Sequence, residues 1–422
     1  MSLNGLSKKI CLSRKKKFKV KIKIMQVPPF TLERQYLEIG SDIEKEVLKV
    51  LKRGQFIGGD VINQFEYSFS SLIGTKYTIG CNSGTDALIL ALRALDIGEG
   101  DEVITSSFSF FATAEAISNV GAKPVFVDIN PNTFLLNTKN IEKKINSRTK
   151  AIMPVHLFGN SVDMTVIKKI ARKFKLKIIE DCAQATCTAW DGQKVGSIGD
   201  IGCFSFFPTK NLGAAGDGGA VTTSDNCLAQ KIRELAVHGS PKRYVHNQIG
   251  YNSRLDTIQA AILNVKLNSI SKWIESRKKV ANNYLNLIKE NDFLLLPEIN
   301  TKLSEHTWNQ FVIRFKNDAF SIKDNPQELF ETNIENYKSL RNFLKYHLLK
   351  KGINTIIYYP IPIHSQKAYQ KTLFKREELL ETEKICTEVL SLPMFPEITY
   401  EEQAFVVENL NSIINEYLNL FK

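Results

Sequence analysis

No stretch of this 422-residue sequence approaches the roughly 18 apolar residues that a membrane-spanning helix needs. No apolar run follows the basic cluster near the start, so a secretory signal is not expected. The seven cysteines (Cys11, Cys81, Cys182, Cys187, Cys203, Cys227 and Cys386) contain no Cys-x-x-Cys pair and keep no company with a histidine cluster. Reduced thiols, no metal site and a cytoplasmic location are therefore expected. The first 25 residues contain no acid, yet they hold nine of the Lys/Arg residues behind a formal net charge of +12. Without them the other 397 residues carry only +3, so the body is close to neutral and a nucleic-acid partner is not expected. The tail itself has three readings: a disordered extension, a start-site artefact with Met25 as the true start, or an organellar targeting segment. Its modest serine content and dense lysine run favour the first two. No internal repeat is visible.

What is present is ordinary globular text, 43% hydrophobic and 24% charged, long enough for two domains. Ser41 to Arg53 has a helical pattern. Between Phe65 and about Asp225, short apolar runs such as Glu102-Val-Ile-Thr, Pro124-Val-Phe-Val-Asp and Ala151-Ile-Met-Pro-Val alternate with helical patterns. That alternation predicts an α/β fold with a largely parallel, doubly wound sheet. Leu255 to Leu287 reads as one or two long helices leading into a smaller α/β domain. That domain holds a strand near Gln310–Phe315, a helix near Leu340–Lys351 and a last helix from about Tyr400. Lys316 to Ser339 is Asn- and Glu-rich and reads as an exposed insertion loop. The expected division is a basic tail at 1–25, a large domain at 26–274 and a small domain at 275–422.

The chemistry concentrates in Ser205-Phe-Phe-Pro-Thr-Lys210-Asn-Leu-Gly, which four glycines follow closely or end. Glycines let the chain turn sharply and bring the main chain close to a flat ligand. A desolvated lysine there is a candidate imine-forming nucleophile; an isolated loop would instead be a surface turn with a solvated lysine. Lys177-Ile-Ile-Glu-Asp181 reads as a buried strand ending in an acid, and such ends face the ligand crevice of an open α/β sheet. Asp181 and Lys210 suit pyridoxal phosphate (PLP), with the lysine forming a Schiff base and the acid keeping the pyridine nitrogen protonated. A structural ion pair is the other reading. Ile79-Gly-Cys-Asn-Ser-Gly84-Thr85 opens an apolar-periodic helix, and the free amides of such a helix start form an anion site.

Four motifs, Cys-Asn-Ser-Gly-Thr-Asp-Ala-Leu (81–88), Glu-Asp-Cys-Ala-Gln (180–184), Ser-Phe-Phe-Pro-Thr-Lys-Asn-Leu-Gly (205–213) and Gly-Tyr-Asn-Ser-Arg-Leu-Asp (250–256), carry a resemblance. From about Gln26 onward the chain resembles the DegT/DnrJ/EryC1/StrS family of PLP-dependent nucleotide-sugar aminotransferases, of fold type I. The resemblance implies a large domain with a mostly parallel, seven-stranded sheet and a smaller C-terminal α/β domain. It implies Lys210 as the cofactor-bearing lysine, Asp181 at the pyridine nitrogen and Gln184 near the ring hydroxyl. Gly84, Thr85 and Ser205 would hold the phosphate. Phe110 would stack on the ring, or else be a core phenylalanine beside Phe108 and Phe111. Asn252 would reach the phosphate in the neighbouring subunit, which implies a homodimer with shared sites. Arg254 would contact an anionic substrate or serve the fold. His238-Gly-Ser-Pro-Lys-Arg-Tyr244, Tyr358-Tyr-Pro-Ile-Pro-Ile-His364 and Ser391-Leu-Pro-Met-Phe-Pro resemble the branch acting on 3-keto sugars. His364 would then face the substrate, or else order a proline-rich turn. The implied reaction moves an amino group, from glutamate, to a nucleotide-linked keto sugar for surface-polysaccharide or glycoconjugate synthesis. The alternatives are another PLP reaction on this fold, or a regulatory or sensory role. Family dehydratases carry histidine where Lys210 stands, and a non-enzymatic descendant should have lost Lys210 or Asp181.

Overall fold

The computed structural model describes residues 25–289, 291–315, 339–370 and 378–421. The basic tail up to residue 24 and nearly all of the expected insertion loop (316–338) lie outside the described residues. Helices α1 (Glu33–Arg53) and α2 (Asp60–Ile73) precede strand β1 (Tyr77–Cys81) and helix α3 (Gly84–Ala94). Then follow β2 (Glu102–Ser106), α4 (Ala112–Asn119), β3 (Lys123–Val127), β4 (Thr149–Ile152), α5 (Met164–Phe174) and β5 (Lys177–Asp181). A short hairpin, β6 (Ala189–Trp190) and β7 (Gln193–Lys194), leads to β8 (Ile201–Ser205), β9 (Gly219–Thr223) and α6 (Asn226–Ala236). Helices α7 (Thr257–Leu267) and α8 (Ile270–Ile288) come next, so the long helical stretch is two helices broken at Asn268–Ser269.

Seven of these strands form one sheet in the order β1-β9-β8-β5-β4-β2-β3. Only β9 runs against its neighbours; the pairs along β8-β5-β4-β2-β3 are parallel. The strands are apolar and buried nearly throughout because helices cover both faces, as parallel sheets require. Side-chain oxygens of Ser83, Asp163 and Asp225 cap α3, α5 and α6, each accepting from a first-turn amide. Helix α1 begins at Glu33 rather than Ser41. Gly40 interrupts the helical pattern, yet the helix runs through it, with the Tyr36 ring 2.8 Å from where a Cβ would stand.

A second, three-stranded sheet, β10 (Leu294–Leu295), β12 (Phe311–Phe315) and β13 (Val389–Leu392), packs with α9 (Leu340–Lys350) and α12 (Tyr400–Phe421). Strand β11 (Ser304–Glu305) pairs instead with β6, and the short helices α10 (Lys367–Gln370) and α11 (Leu380–Glu388) precede β13. Position 274/275 falls inside α8. Ile270, Trp273 and Ile274 pack with Phe69 and Phe206 of the main body, while Val280, Ala281, Tyr284 and Ile288 pack with Phe311, Phe395 and Tyr417. Between these halves the buried Arg277 donates from Nη1 to the carbonyls of Trp308, Asn309 and Met394 at 3.0, 3.3 and 3.4 Å. The segment ahead of α1 also joins the second core. Val27 bridges Ile353, Phe30 meets Phe395 edge to face, and Arg34 pairs with Glu402.

Candidate active site

Side chains alternate between the faces of a strand, and this alternation builds the site. At the end of β8, Phe204 and Phe206 point into an aromatic cluster with Phe65 and Phe69, at centroid distances of 5.0–5.4 Å in edge-to-face geometry. Each such pair contributes about 0.5–1.5 kcal/mol beyond its area. Ser205, between them, therefore faces the other way, into a cavity of about 420 Å³ at the carboxyl ends of β1, β5 and β8. Gly84 starts α3 directly against it, where a Cβ would lie 2.6 Å from the Ser205 Cβ. Ser83 caps the Asp86 amide at 3.1 Å, and Gly84 and Thr85 form the cavity wall beside Ser205. A helix start flanked by a hydroxyl is an anion site.

Lys210 lines the same cavity. Its turn closes through the Lys210 amide to the Phe207 carbonyl at 2.9 Å and the Ala214 amide to the Phe206 carbonyl at 2.7 Å. Gly213 is required there, because a Cβ would sit 2.3 Å from the Pro208 carbonyl oxygen. Burial lowers the Lys210 amine from 10.5 to about 8, opposed by the charge of Asp181. Asp181, 3% exposed, ends β5 in the cavity wall. Burial pushes its carboxyl above the usual range, while the Thr113 hydroxyl, the Ala183 amide and the charges of Lys210 and His156 pull the other way. Thr113 Oγ1 donates to Oδ2 at 2.8 Å and the Ala183 amide to Oδ1 at 3.2 Å. Both of these donors are neutral.

Gln184 also lines the cavity, clamped by the Phe158 amide donating to its Oε1 at 2.9 Å and by its Nε2 donating to the Tyr359 hydroxyl at 2.8 Å. Phe110 lies in the wall with its side open, 59% exposed, and its ring centroid is 6.5 Å from that of Tyr359. The core role falls to Phe108, which is 1% exposed. Behind Asp181, the Glu180 side chain takes the opposite face. It meets His156 Nε2 at 3.1 Å and accepts from the Ile198 and Gly199 amides at 2.8 and 2.7 Å. With Cys182 these groups place three metal-type ligand atoms within 4.8 Å, but His156 and Glu180 are engaged with each other and with backbone amides. They brace the end of β5.

Three expected residues are not in this cavity. Asn252 is exposed and bridges Val237, and Arg254 is half-buried beside it. His364 is buried, its Nδ1 2.6 Å from Ser107 Oγ and its Nε2 3.1 Å from Glu383 Oε1. The Ser107 Oγ also accepts from the His364 amide at 3.1 Å. Both ring nitrogens thus have partners, and His364 ties the Pro360–Pro362 turn to the β2–α4 loop through Ser107. Thr113, Asn309, Gln310, Tyr358 and Tyr359 line the cavity without having been singled out. The only sequence signal was that the tyrosine pair opens the Tyr358–His364 segment and that Thr113 closely follows Phe108, Phe110 and Phe111.

A model of the DegT/DnrJ/EryC1/StrS aminotransferase family matches residues 37–411. The chain belongs to this family. Like other members, this aminotransferase depends on pyridoxal phosphate. A pleiotropic regulatory protein of Geobacillus stearothermophilus is 42% identical over 390 residues, 92% of this chain and 98% of that protein. A UDP-N-acetyl-3-dehydro-alpha-D-glucosamine 3-aminotransferase of Acidithiobacillus ferrooxidans is 42% identical over 378 residues, 90% of this chain and 95% of that protein. A crystal structure of ntda from Bacillus subtilis with bound cofactor pmp is similar with a TM-score of 0.82 at 33% identity, over 94% of this chain and 86% of that one. The donor set of the aminotransferase's cavity fits the cofactor: an amine that is free near pH 8, a buried carboxylate and a helix start facing a serine hydroxyl. No helix among the described residues is long and apolar enough to cross a membrane.

Proposed function

We propose that this aminotransferase moves an amino group from glutamate to the keto carbon of a nucleotide-linked sugar, a 3-keto sugar, in the making of a glycoconjugate. The observation that carries the reading is Lys210, an amine near its point of deprotonation, held beside a buried carboxylate in a cavity large enough for a cofactor and part of a sugar. The 3-aminotransferase relative supports the 3-keto position.

Bound pyridoxal phosphate supplies an electrophilic carbon and an electron sink. The rest is the work of the chain. The Gly84 and Thr85 amides and the Ser205 hydroxyl bind the phosphate. Phe110 would cover one face of the ring, and Gln184 would lie near the ring hydroxyl. The Asp181 carboxylate holds a proton on the ring nitrogen. Lys210 Nζ would anchor the cofactor, then take up and return the proton that moves between the carbons flanking the transferred nitrogen. In the net exchange the donor's amine becomes a ketone and the sugar's ketone becomes an amine.

Mass spectrometry of the two half-reactions tests this directly. With glutamate and PLP the protein should yield 2-oxoglutarate and the amine form of the cofactor; a panel of keto-sugar nucleotides should then return it to the aldehyde form. Failure of every keto-sugar nucleotide after a successful first half-reaction would remove the sugar from the reading. Failure of the first half-reaction with every amino donor would favour a regulatory role, such as the name of one relative carries.

A homodimer with composite sites belongs to the same proposal, because Asn252 is exposed and outside its own chain's cavity. Lys210→Ala and Asn252→Ala, each inactive alone, should regain part of the activity when mixed under subunit exchange. One site of the mixed dimer then collects both lesions and the other has neither. No recovery in proven heterodimers would place Asn252 in its own subunit's site or outside any site.

A further inference from the structure

The turn between β2 and α4 places three hydroxyl- or carboxyl-bearing groups in line. Ser109 Oγ lies 2.7 Å from Thr113 Oγ1, which donates to Asp181 Oδ2 at 2.8 Å. Ser109, Thr113 and Asp181 are 5%, 1% and 3% exposed, and all three line the cavity. An ionised carboxylate only accepts, so the Thr113 proton goes to Asp181, and the Thr113 oxygen is then free to accept from Ser109. The order of donation is thereby fixed as Ser109 to Thr113 to Asp181.

We infer that Thr113 is a positioning residue that sets the rotation and charge of the Asp181 carboxylate toward the pyridine nitrogen, with Ser109 reinforcing it. The inference rests on the PLP reading above. A carboxyl torsion is soft and roughly two-fold by itself. Here it is held at both oxygens, by Thr113 from α4 and by the Ala183 amide from the turn after β5. A hydroxyl polarised by a second hydroxyl is the stronger donor, which favours the ionised form against the cost of burial. The same turn also sets the ring-facing aromatic, since the Thr113 amide bonds the Phe110 carbonyl at 3.2 Å. One helical turn would thus fix both the face and the nitrogen of the ring. The other titratable groups around Asp181 are Lys210, His156, Tyr359, Cys182 and Cys203.

The test uses the full chain, PLP labelled with 15N in its ring, and three variants. Thr113→Val preserves shape but removes the donor; it should weaken PLP binding by roughly 10- to 100-fold, the scale of a lost hydrogen bond to a charged group. Its ring-nitrogen resonance should move toward the unprotonated position. Thr113→Ser should restore both readouts, and Ser109→Ala, which leaves Asp181 untouched, should shift both in the same direction by less. If Thr113→Val does not fold, Ser109→Ala carries the test. The inference is overturned if Thr113→Val, or Ser109→Ala in its place, leaves affinity and resonance at wild-type values. It is overturned equally if Thr113→Ser is as impaired as Thr113→Val, which would make packing the cause. A wild-type chain that takes up no PLP would instead sink the cofactor reading.

Discussion

Lys210→Ala is expected to abolish turnover, by at least about 10⁴-fold, while leaving the folded chain able to bind pyridoxal phosphate without a covalent link. The lysine is both the anchor and the proton carrier, and loss of a positioned acid–base group alone costs about 10²–10⁴-fold. Borohydride reduction of the wild-type protein, followed by peptide mapping, should place the pyridoxyl group on Lys210 and nowhere else. A label on another lysine, or none, would overturn the assignment. The pH dependence has a definite sign. Burial lowers this amine from 10.5 to about 8, so its nucleophilic neutral form accumulates as pH rises through 8. The rate at which the apo-protein captures PLP should therefore climb between pH 7 and about 9 and then level off. A climb that continued toward pH 10.5 would mean a solvated lysine.

Asp181→Asn is expected to cost roughly 10²–10³-fold in kcat, the scale seen when one preorganised electrostatic partner of a reacting group is removed. An amide cannot hold the proton on the pyridine nitrogen, so the ring withdraws electrons less effectively. The fold should survive: the Asn oxygen can still accept from the Ala183 amide while its NH2 donates to the Thr113 hydroxyl oxygen, and burial already disfavours the ionised acid. The melting temperature of the apo-protein should thus stay level or rise. Near-wild-type turnover in Asp181→Asn would reduce this residue to a structural one.

Much of the cavity was legible because it is built from strand ends. Apolar runs that stop at a carboxylate, a hydroxyl or a glycine announce both the sheet and the side of it that faces a ligand; Asp181 and Ser205 end β5 and β8, and Gly84 and Lys210 lie in the segments that follow β1 and β8. The antiparallel course of β9 was not legible, since a buried strand's composition is the same in either direction. The wall contributed by Asn309, Gln310, Tyr358 and Tyr359 was hidden for a different reason. These residues arrive from the second sheet and its loops, and nothing in their local spacing indicates which crevice they close. His364 carried two readings in the sequence, and spacing could not show that its two nitrogens meet Ser107 and Glu383. The role of Thr113 escaped because one hydroxyl in a serine- and phenylalanine-rich segment has no signature until the carboxylate it touches is located.

The stitching of Val27, Phe30 and Arg34 into the last core has a consequence for how the molecule is made. Arg34 finds Glu402 across 368 residues of chain, and Val27 lies alongside Ile353. At about 5–20 residues per second, a ribosome needs roughly 20–75 s to deliver the second partner after the first. Throughout that interval the leading end of α1 has its destination still inside the ribosome or unmade. The central sheet can assemble meanwhile, since its strands end at Thr223. Nascent chains therefore carry an unfinished segment ahead of and into α1, and Val27 and Arg34 are among the last residues to find their partners although they emerge long before them.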